Sequence, residues 1–124
     1  MRFVIVVPGS LVLLFAIAVI GASRGTPAPE KIYPNPQNAE EFLERGELYE
    51  KAGSYKEAFS DYQKVVELNP GDSSGYLGQA SVLSAMEQPD AAIEKYLFVK
   101  EIDQRNGIST RMVEYLIDRE REKL

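Results

Sequence analysis

The side chains of this chain best suited to acid and base chemistry are carboxylates that lie close together in the sequence. Glu40, Glu41, Glu44 and Glu47 have the spacing of a single helix. Two carboxylates can divide the acid and base roles when a pocket pushes their pKa values apart. A helix that is open to water supplies no such pocket, so the sequence predicts no catalytic residue among them.

The composition excludes most other reactive sites. The chain of 124 residues contains no Cys and no His, which removes disulfides, thiolate and imidazole nucleophiles and the usual zinc sites. It has no Gly-rich phosphate loop, no calcium loop and no nucleophile next to a base. Its net charge is -5, with no basic stripe for nucleic acid. We therefore expect a non-enzymatic protein with no metal or cofactor and no nucleic-acid partner.

The segment that carries these carboxylates is repeated. Moving the sequence against itself so that Phe42 falls on Tyr76 aligns residues of similar size and character along both copies. Apolar residues in each copy recur at spacings of three and four, which predicts two amphipathic helices per copy. The aligned core pairs are Phe42 with Tyr76, Gly46 with Ala80, Tyr49 with Leu83, Ala58 with Ala92, and Tyr62 with Tyr96.

Local signals predict where the helices begin and end. Asn38 with Glu41, and Ser54 with Glu57, have the spacing of capping boxes, and Pro89 suits a first helical turn. The periodicity stops at residues 52–54, 69–72 and 105–107, which are rich in Gly, Pro, Asn and Ser. The small residues Gly46 and Ala58 would let two antiparallel helices approach closely.

The period and the order of large, small and aromatic residues resemble the tetratricopeptide repeat (TPR) family. Residues 39–72 form the closer copy, and residues 73–106 form a weaker one with Gln104 in place of the expected proline. The resemblance implies an all-α fold, a short α-solenoid of two helix-turn-helix repeats. A capping helix at 107–124 would follow, in which a third copy loses its signature.

The capping segment is predicted to have one apolar and one polar side. An alternative is a basic amphipathic helix that lies on a membrane, although the charges are mixed. The residues expected to cover the second repeat are Ile108, Met112, Val113, Leu116 and Ile117, and those expected to face water are Arg111, Asp118, Arg119, Glu120, Arg121 and Glu122.

The N-terminal part predicts a membrane anchor and a linker. Phe3–Ala22 contains no charged residue and is long enough to cross a bilayer, so residues 1–22 are interpreted as a transmembrane helix. The alternatives are a cleaved signal peptide, which would leave a secreted TPR domain, and a buried core helix. The positive charges on the two sides of this segment are nearly equal in number, and the short tail before it resembles a signal-anchor, which favours a non-cytoplasmic domain. Residues 23–38, with four prolines, are predicted to be a spacer, an inert segment or a strap across a neighbouring subunit.

In the TPR family, the first helix of each repeat lines a concave surface. The resemblance implies a partner-binding groove, formed here by Leu43, Glu47, Leu77, Gly78, Ser81 and Met112. The concave surface around it would also include Glu40, Glu50, Ser74, Ala85, Ile108, Arg111 and Tyr115. Some members of the family use basic and amide residues to clamp acidic chaperone tails. This chain lacks that clamp, because the corresponding positions are occupied by Leu43, Glu47, Gly78, Ile108 and Met112. Gly78, inside a helix, indicates either tight packing or close approach of a ligand backbone.

These features predict a membrane-tethered, non-catalytic scaffold for protein–protein interaction. The expected partners are subunits of a membrane complex of which the chain would be a permanent accessory subunit, with residues 3–22 in the bilayer. The alternative is a transient assembly factor or an adaptor that recruits client proteins. Both alternatives predict binding through an apolar or helical segment with basic flanks.

Overall fold

The computed structural model describes residues 26–124, and all regular elements in this part of the chain are helices. A short N-terminal helix precedes two helical hairpins and a last helix. The bounds are α1 (Pro29–Ile32), α2 (Ala39–Lys51), α3 (Tyr55–Leu68), α4 (Ser74–Ala85), α5 (Pro89–Arg105) and α6 (Arg111–Arg121). Each helix from α2 to α5 packs against the next one along the chain, as in an α-solenoid.

The two hairpins turn in the same way. After α2, Gly53 has a φ of 76°, and Ser54 N donates to Tyr49 O at 2.8 Å. After α4, Glu87 occupies the position in the second copy that Gly53 has in the first, with a φ of 56°. A left-handed residue at the end of a helix lets the next amides bond the last carbonyls, but only glycine adopts it without strain.

The second helices of the two repeats differ in length. α3 has 14 residues and ends two positions before Pro70, whereas α5 has 17 and extends through Gln104 to Arg105. Proline cannot donate an amide hydrogen and disfavours a helical residue before it. The absence of proline at 104 therefore allows α5 to continue for an extra turn.

The buried residues follow the repeat. Ala58, Ala80 and Ala92 are fully buried where helices pack together. Val82 and Gln79 are equally buried, although the repeat pattern did not single them out. Of the ten predicted core residues, Gly46, Ala58, Tyr62, Ala80, Leu83, Ala92 and Tyr96 are buried, and Phe42, Tyr49 and Tyr76 are half-buried.

The predicted helix starts need two corrections. Asn38 caps α2, since its Oδ1 accepts from Glu41 N at 2.9 Å, but the Glu41 carboxylate accepts from Gln37 N at 2.7 Å rather than from Asn38 N. Ser54 precedes α3 without a capping hydrogen bond from its side chain. Its ψ of 68° departs from the extended conformation usual for a side-chain cap.

The predicted covering of the second repeat by α6 is correct for only part of its residues. Val113 and Ile117 are buried against the second repeat, and Leu116 packs beside them. Ile108 and Met112 are instead exposed, because Ile108 precedes the helix and Met112 lies on its other side. Glu120 was predicted to face water, yet it is fully buried.

The fold class predicted with a transmembrane helix is corrected. Within residues 26–124, no helix has both the length and the apolar character needed to cross a membrane. The segment at residues 3–22, for which the span was predicted, lies outside the described residues. The described part is an all-helical stack of helix-turn-helix pairs, consistent with a TPR solenoid.

The described part of the proline-rich segment packs on its own chain and is not a free spacer. It contains α1, and the Tyr33 hydroxyl donates to a Glu44 carboxylate oxygen on α2. Arg45 Nη1 donates to Tyr33 O at 3.1 Å, and the Tyr49 hydroxyl donates to Glu30 at 3.3 Å. These bonds hold the segment against the first helix of the stack.

Candidate protein-binding groove

The side chain of Tyr62, on α3, lies between α2 and α4. Its ring is so close to Gly46 and Gly78 that a Cβ atom would come within 2.8 Å of Tyr62 Cε1 from Gly46 and within 2.5 Å of Tyr62 Cδ1 from Gly78. Both glycines approach the same Cδ1–Cε1 bond of the ring. The two helices can therefore meet over this tyrosine only because neither has a side chain there.

Glu50 fixes the tyrosine and links three helices. Its Oε2 accepts from the Tyr62 hydroxyl at 2.7 Å, and its Oε1 accepts from the Ser81 hydroxyl. Burial, followed by the hydrogen bond to Glu50, raises the pKa of Tyr62 well above its ordinary value. The phenol therefore stays protonated and acts as a hydrogen-bond donor, so the Glu50 carboxylate keeps one orientation.

A cavity of about 280 Å³ lies above this tyrosine, between α2 and α4. Five of the six predicted groove residues line it, and Glu50, Tyr62 and Ser74 complete the lining. The sixth, Met112, does not line this cavity and lies on α6. The five residues that meet here are Leu43, Glu47, Leu77, Gly78 and Ser81.

A second open cavity, of about 430 Å³, adjoins the first one. Lys51, Tyr55 and Ala85 line it, and Glu47 and Glu50 line both cavities. The two carboxylates therefore lie where a segment would pass from one cavity to the other. We call the two cavities together the α2–α4 groove.

The sequence left two explanations for Gly78, tight packing or close approach of a ligand backbone, and the structure supports tight packing. The ring of Tyr62 already occupies the space next to it. A large residue at 78 would displace that ring, so such a substitution disturbs the fold as well as the groove. Leu77 is the better probe of the groove, because it lines the cavity and is 41% exposed.

The chemistry available in the α2–α4 groove is that of binding. Its walls combine the apolar side chains of Leu43 and Leu77 with the Ser81 hydroxyl and two carboxylates. Within residues 26–124, no cluster of three or more possible ligand residues could hold a metal ion. This mixture of apolar and hydrogen-bonding groups suits a protein segment that has both kinds of surface.

Sequence reasoning missed the pair that holds α2 on α3. Arg45 Nε and Nη2 each donate to Asp61 at 2.8 Å, and the Asp61 side chain is only 5% exposed. The guanidinium also lies 5.7 Å from the ring centroids of Phe42 and Tyr49. The two charged residues lie on different helices, and the corresponding residues of the second copy are Gln79 and Lys95. The repeat pattern therefore did not indicate this ion pair.

A second missed cluster joins α6 to α4. The buried Glu120 carboxylate accepts from the Ser84 hydroxyl at 2.6 Å and from Lys123 Nζ at 2.9 Å. Burial alone would raise the pKa of Glu120, but the hydrogen bonds from Ser84 and Lys123 outweigh it and lower that pKa. These bonds set the position of the last helix beside α4.

Comparison with known proteins agrees with this geometry. Residues 39–72, which form α2 and α3, match the model of the tetratricopeptide repeat. The chain contains a TPR. The repeat and the relatives described next indicate a non-catalytic interaction module.

Three plant proteins are similar to part of the chain. Hsp70-Hsp90 organizing protein 1 of Glycine max is 36% identical over 67 residues, which are 54% of this chain and 12% of that protein. Hsp70-Hsp90 organizing protein of Triticum aestivum is 31% identical over 77 residues, or 62% of this chain and 13% of that protein. Hsp70-Hsp90 organizing protein 3 of Arabidopsis thaliana is 31% identical over 67 residues, or 54% of this chain and 12% of that protein. The chain thus spans only a small fraction of these relatives.

Proposed function

We propose that this chain is a non-catalytic adaptor that holds a segment of a partner protein in the α2–α4 groove. The observation that carries the proposal is that five residues, predicted from two separate repeats, line one cavity above Tyr62. The floor is rigid because Glu50 bonds Tyr62 and Ser81 at once. A preorganised floor lowers the entropy cost of binding.

The walls of the groove suit an amphipathic segment. Leu43 and Leu77 offer apolar contacts, and Glu47 and Glu50 can accept hydrogen bonds from a basic side chain. An amphipathic helix in a groove presents both kinds of side chain at spacings of three and four. Both cavities are open to solvent, which leaves room for a continuous peptide.

An acidic tail is the wrong ligand for this groove. The relatives are named for organizing Hsp70 and Hsp90. In the TPR family, a clamp of basic and amide residues captures acidic chaperone tails, but the corresponding residues on α2 and α4 are Leu43, Glu47 and Gly78. Like charges repel, so we propose that this chain binds its partner without a carboxylate clamp.

The partner's identity rests on the sequence predictions. An accessory subunit and a transient adaptor would both use the same groove. The membrane complex and the non-cytoplasmic location were predicted from residues 3–22, outside the described part, and both stay predictions.

Binding of two synthetic peptides to the full-length chain tests the proposal. One peptide is an amphipathic helix of Leu and Lys, and the other has Glu in place of Lys. We expect the Lys peptide to bind more tightly, and Leu77→Ala to weaken its affinity about tenfold, as for a central apolar contact. The matched control is Leu97→Ala on α5, since Leu97 is 47% exposed and lines neither groove cavity. Equal loss in both variants, or tighter binding of the Glu peptide, would contradict the proposal.

A further inference from the structure

The face of α2 that contacts the proline-rich segment corresponds to the face of α4 that contacts α3. The repeat shift that places Phe42 on Tyr76 also places three residues of α2, each bonded to the proline-rich segment, on three residues of α4 that contact α3. The segment therefore occupies the position that the second helix of a preceding repeat would have. The three pairs are Glu41 with Gly75, Glu44 with Gly78, and Arg45 with Gln79.

On α4, two of these positions are glycines, and they let α3 approach very closely. A Cβ atom at Gly75 would come within 2.7 Å of Val66 Cγ2 and within 2.9 Å of Val66 N. A Cβ atom at Gly78 would come within 2.5 Å of Tyr62 Cδ1. The packing of a helix on this face therefore depends on the absence of a side chain at both positions.

On α2, glutamates stand at both positions and bind the proline-rich segment instead. The Glu41 carboxylate accepts from Gln37 N at 2.7 Å. The Glu44 carboxylate accepts from the Tyr33 hydroxyl, and Arg45 Nη1 donates to Tyr33 O at 3.1 Å. A helix that packed on α2 as α3 packs on α4 would overlap both glutamate side chains. An extended segment leaves room for them, because it is thinner than a helix of about 10–12 Å diameter.

Part of this α2 face stays open because the proline-rich segment is thinner than a helix. Leu48 corresponds to Val82, which is fully buried beside Ala58 and Tyr62 of α3. Leu48 is only half-buried, and it lines a cavity of about 830 Å³ together with residues 26–30 of the segment. This cavity is the space that the side chains of a second helix would fill.

We infer that residues 29–37 are an N-terminal cap of the stack, which Glu41 and Glu44 hold in place while they keep a partner helix off α2. A stack of repeats needs a terminal element with a polar outer side, because its end helix would otherwise expose a packing face. The cap meets this need, since α1 has no buried residue. The inference is independent of the proposed function, because the two glutamates line neither cavity of the α2–α4 groove.

The cap also fixes where the chain enters the stack. Thr26 lines the 830 Å³ cavity together with Ala52 and Ser54, at the turn between α2 and α3. Lys51, next to that turn, lines this cavity and also the second cavity of the groove. The groove is therefore held at a fixed position relative to the start of the described part, and it does not swing on a free linker.

Two nitroxide labels on the full-length chain test whether the cap is docked. The chain contains no cysteine, so Lys31→Cys on α1 and Gln104→Cys on α5 carry both labels at exposed positions. Pulsed electron paramagnetic resonance should give a narrow distribution of distances between them. Glu41→Ala combined with Glu44→Ala should broaden it, because two bonds to the cap are lost. The control Glu40→Ala, at an exposed glutamate of the same helix, should leave it narrow.

Trypsin cleavage after Lys31 reports the same opening without labels. Lys31 lies in the cap and is exposed, and it precedes Ile32, so the bond is a substrate once the cap leaves α2. The alanine pair at 41 and 44 should accelerate this cleavage about tenfold, as expected for the loss of two hydrogen bonds. The Glu40→Ala control should be cleaved at the rate of the wild type.

A synthetic peptide of residues 55–68, the α3 sequence, tests whether the two glutamates keep a helix away. Glu41→Gly combined with Glu44→Gly gives α2 the two glycines that α4 has under α3. This variant should bind the peptide about tenfold more tightly than the wild type does, and the peptide should broaden the distance distribution of the labels. The alanine pair is the matched control, because it frees the cap but keeps both Cβ atoms, so its affinity for the peptide should stay low.

The outcomes separate the two parts of the inference from the proposed function. A broad distance distribution in the wild type, or a narrow one in the alanine pair, would show that Glu41 and Glu44 do not hold a cap. Equal peptide binding by the alanine and glycine pairs would show that these positions do not exclude a helix. Neither result would affect the proposed function, which is tested by peptide binding that depends on Leu77.

Discussion

Gly78 and Tyr62 are in such close contact that a Cβ atom on the glycine would come within 2.5 Å of Cδ1 of the ring. The ring cannot simply move away, because its hydroxyl is bonded to Glu50 and Gly46 on α2 also lies against its Cδ1–Cε1 bond. The residue that closes the floor of the groove is therefore also the residue that sets the distance between α2 and α4.

Gly78→Ala should destabilise the chain by about 2 kcal/mol, although alanine favours a helix by about 1 kcal/mol over glycine. The overlap with the Tyr62 ring exceeds the gain in helix propensity. Urea unfolding measures the change, and Gly71→Ala is the control, since no atom lies within 4 Å of a Cβ there. A higher unfolding free energy for Gly78→Ala would contradict the packing described here.

Glu87→Gly should stabilise the chain by about 0.5–1 kcal/mol. A non-glycine residue in the left-handed region costs about 1–2 kcal/mol, and the greater freedom of glycine in the unfolded chain offsets part of that gain. Thermal unfolding should show a higher midpoint. Gly53→Ala, at the equivalent turn with a φ of 76°, should have the opposite effect. A lower midpoint for Glu87→Gly would mean that the Glu87 side chain contributes more than the strain costs.

Asp61→Ala should cost about 3 kcal/mol, because it leaves the Arg45 guanidinium partly buried without its carboxylate. Asp118→Ala is the control, since Asp118 pairs with Arg121 at 3.1 Å on the surface, and its loss should change stability by less than about 0.5 kcal/mol. Equal unfolding midpoints in urea for the two variants would show that the buried pair contributes no more than the exposed one.

Glu120→Gln should reduce stability at neutral pH by about 1 kcal/mol and have a smaller effect in acid. The folded state lowers the pKa of Glu120 below its ordinary 4.5, so the charged form adds stability above that value. That contribution is lost as the pH falls below 4.5 through the folded-state pKa. Unfolding at pH 7 and pH 3 measures the difference between wild type and variant. A difference that grows toward pH 3 would contradict the lowered pKa.

Much of the fold could be predicted from the sequence because local rules determine it. The apolar spacing of three and four indicated the helices, and the Gly, Pro and Asn clusters indicated where α2, α3 and α5 end. The repeat shift located the small core positions Ala58, Ala80 and Ala92. The resemblance to the TPR family implied five of the residues that line the groove, because equivalent positions in stacked repeats face the same side.

Tertiary structure alone decided which side chains meet across helices. The pairing of Arg45 with Asp61 and the burial of Glu120 beside Ser84 depend on how the helices cross, and no local pattern specifies that crossing. The role of Gly78 had two explanations until the ring of Tyr62 was found against it. Helix periodicity is a property of neighbouring residues, whereas these contacts join positions far apart in the sequence, and only packing brings them together.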